Sequence, residues 1–176
     1  KLKPNYPAAF YNLGFLYLDR KDYPKSILNF QKACQINPNY VEAWHNLGVI
    51  YTKTGKFDEA MKCYRQAINI KPDYFKAALN LGVLNAKQGN YREAVKTYQN
   101  VLKTHPDYTP AWFNLAVAYH KTGEIDKAIE SYRKVITANP KNIEAVKNLA
   151  SLYAEKKDFQ KAVTLYQDAL AEQPED

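Results

Sequence analysis

The side chains best suited to chemistry are few and badly spaced for it. His45, His105 and His120 show none of the short separations at which histidines share a metal ion. Cys34 and Cys63 form no CxxC pair; they read as two reduced, half-buried thiols on different helices, poorly placed to meet, as in cytosolic proteins. Ser26, Ser131 and Ser151 fall on different faces of the elements that carry them, so no nucleophile–base–acid set can be drawn. No GxGxxG, Walker loop or HExxH is present. The chain is therefore expected to be no enzyme, with no metal, no cofactor and no small-molecule substrate. One polar residue does recur on a fixed spacing. Asn12, Asn46, Asn80, Asn114 and Asn148 stand 34 residues apart. An amide both donates and accepts hydrogen bonds. A row of them could hold the backbone of an extended peptide without reading its sequence.

The elements that position these amides follow from the same spacing. Pro4, Pro38, Pro72, Pro106, Pro140 and Pro174 also return every 34 residues. A fixed period in this range marks a stack of like supersecondary units, each burying its apolar face on a neighbour. Five complete units follow, 7–40, 41–74, 75–108, 109–142 and 143–176, and residues 1–6 match the tail of an earlier unit. Within the unit, position 7 is Leu13, Leu47, Leu81, Leu115 or Leu149, and position 8 is Gly14, Gly48, Gly82, Ala116 or Ala150. Position 11 is Tyr17, Tyr51, Asn85, Tyr119 or Tyr153. With position 4 (Phe10, Trp44, Ala78, Trp112, Val146) these share one helical face. Positions 20, 24 and 27 define a second helix, with Phe30, Tyr64, Tyr98, Tyr132 and Tyr166 at position 24. Gly55, Gly89 and Gly123 hold the turn between the helices, where a left-handed residue is needed; Lys21 and Lys157 replace glycine there. The period-setting proline stops the second helix. Small residues at positions 8 and 20 let the two helices approach closely.

Composition agrees with an ordered helical chain. Of 176 residues, 46% are hydrophobic and 24% charged, which suffices for a core. The mean hydropathy of −0.57 and the lack of a long apolar run argue against a membrane span. The net charge of +7 is spread along the chain and not clustered, which suits an acidic partner better than nucleic acid. No signal peptide opens the chain, and the expected compartment is cytoplasmic. The chain does not begin with Met and opens on a repeat tail, so it is expected to be a piece of a longer array.

The pattern resembles the tetratricopeptide repeat family, whose repeat is 34 residues long, and the resemblance covers the whole chain. It implies an all-α fold, a right-handed superhelical solenoid of five antiparallel helix pairs whose first helices line a concave groove that binds proteins or peptides. In that family positions 2, 5, 6, 9, 12 and 13 of the first helix point into the groove. The asparagines occupy position 6, in a ladder similar to that of the O-GlcNAc transferase and SPINDLY group; the alternative is that asparagine is simply common there. Position 13 supplies Lys53, Lys87 and Lys121, joined by Lys76 at position 2, as a stripe for acidic side chains or a terminal carboxylate. His45 at position 5 and His120 at position 12 lie near the same wall, and Phe15 at position 9, with Tyr11, Leu79 and Phe113 at position 5, forms a partly apolar floor. The carboxylate clamp of chaperone adaptors is matched poorly: Tyr11, Phe15, Asn46, Lys76 and Asn80 hold its positions and only Asn46 and Lys76 fit.

The function expected is a non-catalytic protein-interaction scaffold holding an extended peptide or partner helix in the groove. The alternative is a substrate-recruiting arm of a larger enzyme similar to O-GlcNAc transferase. The last unit ends after its second helix, so Val163, Tyr166 and Leu170 are expected to be partly bare and to permit end-to-end self-association.

Overall fold

The computed structural model describes residues 6–171. Among them every regular element is an α-helix: α1 (Pro7–Asp19), α2 (Tyr23–Ile36), α3 (Val41–Lys53), α4 (Phe57–Ile70), α5 (Phe75–Lys87), α6 (Tyr91–Thr104), α7 (Thr109–Lys121), α8 (Ile125–Ala138), α9 (Ile143–Glu155) and α10 (Phe159–Ala171). Each odd-numbered helix starts on the first residue of a 34-residue unit. The tail assigned to an earlier unit lies outside the described residues apart from Tyr6. The helices pack as hairpins, α1 with α2, α3 with α4, α7 with α8 and α9 with α10. Successive hairpins meet through α2 on α3, α6 on α7 and α8 on α9.

The turn inside each hairpin depends on one left-handed residue. Gly55, Gly89 and Gly123 adopt φ of 77°, 82° and 80°. Lys21 and Lys157 hold the same place at φ of 60° and 62°, a conformation their Cβ atoms disfavour. The backbone after each turn closes in the same way, Asp22 N–H donating to the Tyr17 carbonyl and Lys56 N–H to that of Tyr51. The Asp22 side chain caps α2 at the Lys25 N–H, and Asn142 caps α9 at the Ala145 N–H.

The chain divides into two compact units, Lys1–Leu84 and Asn85–Asp176, the division falling within α5. In the first, the rings of Phe30 and Tyr64 are fully buried against Ala33, Leu47 and Ile50 on one side and Ala60, Ala67 and Leu84 on the other. Gly14 lies directly against Phe30, and Gly48 against Tyr64. The Ser26 hydroxyl, buried at the same crossing, donates to the Gly14 carbonyl. In the second unit, Tyr132 plays the ring's part in the hairpin of α7 and α8, with Ala116 in place of glycine.

One expectation needs adjusting. Cys34 and Cys63 are not half-buried but buried, each 4% exposed, and they belong to one apolar cluster. Both are free thiols, on α2 and α4. Burial pushes each thiol up to about 12, and each feels a neighbouring acidic group, Cys63 for the first and Glu59 for the second. The cause is the register: positions 28 and 23 face the junction of α2, α3 and α4. At the ends of the stack, Val163 and Tyr166 are exposed; the Leu170 side chain lies outside the described residues. The first helix is barer still. Leu16 is 59% exposed, whereas Ile50, at the same repeat position, is 0% exposed.

Candidate functional site

In the first unit, α1, α3 and the start of α5 set the position-5 and position-6 side chains beside one another. Tyr11, His45, Asn46, Leu79 and Asn80 are half-buried, while Asn12, Phe15, Lys53 and Lys76 are exposed. Each position-5 ring leans on the buried position-24 ring of its own repeat. Tyr11 meets Phe30 edge-on at 5.5 Å between centroids, and His45 lies 5.9 Å from Tyr64. The floor of the face is thus the outer layer of the core.

The amides are not idle. Asn46 Nδ2 donates to the Tyr11 hydroxyl at 3.0 Å, one repeat back. Asn80 Nδ2 lies 3.1 Å from His45 Nε2 in the same arrangement. An amide nitrogen can only donate, so His45 accepts at Nε2 and keeps its proton on Nδ1. Burial lowers the His45 pKa; a hydrogen bond with Asn46 opposes this, nearby Lys76 reinforces it, and Glu42 opposes it. The Tyr64 phenol is pushed up by burial, with Thr52 and Asn80 pulling the other way through hydrogen bonds. Each of these asparagines therefore spends a donor inside the chain, and Asn46 also bonds His45.

The sequence did not single out the residues that frame this face. Tyr40 stacks on Tyr11 at 5.0 Å, and Tyr74 meets His45 edge-on at 5.4 Å. Both sit at the last position of a repeat, just ahead of α3 and α5. The available signal is the recurring Pro-Asn-Tyr and Pro-Asp-Tyr tail, whose tyrosine directly precedes the next first helix.

In the second unit α7 and α9 carry the matching positions. Phe113 leans edge-on against Tyr132 at 5.7 Å. Phe113 and Asn114 line a pocket of about 460 Å³ with Pro110, Asn142 and Glu144. Asn148 is half-buried and its hydrogen bond lowers the Tyr132 pKa, against the stronger effect of burial, which pushes that phenol up to about 12. Lys87 and Lys121 are exposed. His120 Nε2 lies 3.2 Å from Glu155 Oε2, so a carboxylate of this chain already stands at the end of that row. Among the described residues, no group of three or more His, Cys, Asp or Glu gathers as a metal site, and no helix is long and apolar enough to cross a membrane.

Comparison with known proteins agrees with this architecture. Family models described as tetratricopeptide repeat match residues 79–143 and 123–176, and one described as TPR repeat matches 16–55 and 48–89. No curated protein sequence matches. Among solved structures, the crystal structure of the MamA protein is 25% identical with a TM-score of 0.87, covering 94% of this chain and 90% of that one. MamA from Desulfovibrio magneticus RS-1, residue 41 to its end, is 18% identical with a TM-score of 0.88, covering 97% and 96%. YrrB, described as a TPR protein with an unusual peptide-binding site, is 19% identical with a TM-score of 0.83, covering 97% of this chain and 88% of that one. The repeat period, the helix hairpins and the family models, which together span residues 16–176, place the chain in the tetratricopeptide repeat family.

Proposed function

We propose that the protein is a non-catalytic scaffold that binds an extended peptide or a partner helix along the faces of its first helices. The observation that carries this reading is the paired ring and amide, Tyr11 with Asn46 and His45 with Asn80. Each pair offers a fixed aromatic surface beside an amide held in place by the ring. Such a pair can accept a peptide N–H while the ring covers an apolar side chain. Exposed Lys53, Lys76 and Lys121 favour an acidic partner, chiefly through association rate and specificity. YrrB, similar in fold, is itself described as having a peptide-binding site. The alternative, a recruiting arm of a larger enzyme like O-GlcNAc transferase, rests on the asparagine row alone. The internal bonds of Asn46 and Asn80 give those amides a structural use that needs no such enzyme.

The test is to select binders from a displayed random peptide library with the whole chain and then measure their affinity by calorimetry. Asn46→Ala with Asn80→Ala should weaken a selected peptide by about tenfold, on the order of one hydrogen bond each. Tyr11→Phe, which removes only the internal partner of Asn46, should leave binding nearly unchanged. Full affinity in the double variant, with circular dichroism and Tm retained, refutes the reading. End-to-end association through the bare faces of α1 and α10 is a separate part of this proposal. It predicts a mass by light scattering that rises with concentration, and a constant monomer mass removes it.

A further inference from the structure

Two pockets on the other side of the hairpins are copies of one another. The first, in the first unit, is bounded by α2, α3 and α4 and encloses about 580 Å³. The second, in the second unit, is bounded by α6, α7 and α8 and encloses about 550 Å³. Their floors correspond residue for residue at a spacing of 68: Trp44 with Trp112, Leu47 with Leu115, Tyr51 with Tyr119. Each is held by the same two hydrogen bonds. The indole of Trp44 donates to the Pro38 carbonyl at 2.8 Å, and that of Trp112 to the Pro106 carbonyl at 2.7 Å. Gln31 donates to the Tyr51 hydroxyl at 3.0 Å, and Gln99 to that of Tyr119 at 2.7 Å. Both aromatic floors are thus fixed before any ligand arrives.

The rims differ. In the first pocket the lining charges are Glu59 and Lys62, which cancel. In the second, Lys103, Lys127 and Lys134 face Glu130 alone. Lys127 also pairs with Glu124 at 2.6 Å and its ammonium lies 5.4 Å over the Tyr119 ring. Lys103 donates to the neutral Asn100 amide, so its charge is uncompensated there. An apolar aromatic floor under a net positive rim is complementary to an apolar side chain flanked by carboxylates. The rim holds lysine and no arginine, and a bidentate phosphate reader would favour arginine. The pocket is also open, which suits one anchoring side chain of a longer chain better than an enclosed small molecule.

We propose that the pocket over Trp112 is a second docking site, separate from the first-helix faces, for an acidic peptide segment that seats one apolar side chain on Trp112 and Leu115 with its carboxylates against Lys103 and Lys134. The pocket over Trp44 is its uncharged twin and does not take the same ligand. Because the two tryptophans of the chain fall one in each pocket, each indole N–H reports on its own site.

The experiment titrates the whole ¹⁵N-labelled chain with a capped pentapeptide of leucine flanked by glutamates, and reads both indole signals by NMR. The Trp112 signal should shift saturably while that of Trp44 stays in place. Raising salt from about 50 to about 300 mM should weaken binding several-fold. Lys103→Glu with Lys134→Glu, both at exposed positions, should weaken it by about tenfold or more. The same peptide with lysine for glutamate should bind neither pocket. The proposal is overturned if neither indole moves, if both move alike, or if the charge-reversed variant binds equally well. It is overturned equally if a short single-stranded oligonucleotide shifts Trp112 more tightly than the peptide does. Signals that move only at Phe113 and Asn114 assign the peptide to the first-helix face and also reject the second site, leaving the function proposed above intact.

Discussion

The two units solve one packing problem with different residues. In the first, a glycine faces the position-24 ring at the crossing of each hairpin. A Cβ on Gly14 would stand 2.9 Å from Phe30 Cδ1, and one on Gly48 only 2.6 Å from Tyr64 Cε1. In the second unit Ala116 and Ala150 occupy that position and are themselves buried. The crossing therefore requires a small residue but not always the smallest. In the first unit the ring of the facing helix stands where the Cβ of a larger residue would lie. Such a site is intolerant of growth, whereas its counterpart has room for the methyl already present.

The largest effect should come from removing the ring itself. Tyr64→Ala is expected to cost about 3–5 kcal/mol in urea unfolding, because a fully buried ring leaves a cavity that two hairpins share. Trp44 fluorescence should follow that loss in the first unit, with Trp112 as the reporter of the second. Equal loss at both would mean that the units unfold as one. Next comes the contrast at position 8. Gly48→Ala should destabilise by about 1–3 kcal/mol through the forced contact with Tyr64, and Ala116→Gly by about 1 kcal/mol through backbone entropy. A neutral Gly48→Ala would show that the ring can swing aside and would end the comparison. Smaller, and opposite in sign, are the turns. Lys21→Gly and Lys157→Gly should each stabilise by about 1 kcal/mol, since both lysines carry positive φ. A fall in Tm for either would locate an unrecognised role for that side chain.

The smallest effect is a pH dependence confined to the first unit. The folded pKa of His45 lies below its ordinary value, chiefly because of burial. The unfolded chain therefore binds the proton more readily. The contribution is complete above the unfolded pKa of about 6.5 and declines as pH falls below it. The groups around the ring are Glu42, Lys76, Tyr64 and Tyr74, with Asn46 and Asn80 as hydrogen-bonding neighbours. Stability measured at Trp44 should drop between pH 7 and pH 5.5, and His45→Gln should flatten that part of the profile. An unchanged slope in the variant would assign it to other groups.

Much of this architecture could be read from spacing alone. Prolines and glycines fix the backbone at set intervals, and leucine, tyrosine and small residues at positions 7, 8, 11, 20 and 24 fix which face is buried. The hairpins and their start points follow from these. The candidate site was less legible, because its side chains take partners 35 residues away whose identity changes from repeat to repeat. Asn46 finds a tyrosine hydroxyl and Asn80 an imidazole. At the matching place in α7 stands Phe113, which offers Asn148 no acceptor. A periodic pattern specifies where a side chain stands but not what its neighbour can accept. The cysteines show the same limit: no motif marks them, and only their place at the junction of α2, α3 and α4 explains their burial.

That burial has a practical consequence. Both thiols lie in the first unit, and each has its ionisation pushed up to about 12. At neutral pH an alkylating reagent meets almost no thiolate while the cluster of α2, α3 and α4 stays packed. The rate of alkylation under native conditions therefore counts the moments when that cluster loosens and its thiols ionise. The protein carries a built-in stopwatch for one half of its length, and the other half, with no sulfur nucleophile of its own, leaves no mark on the reading.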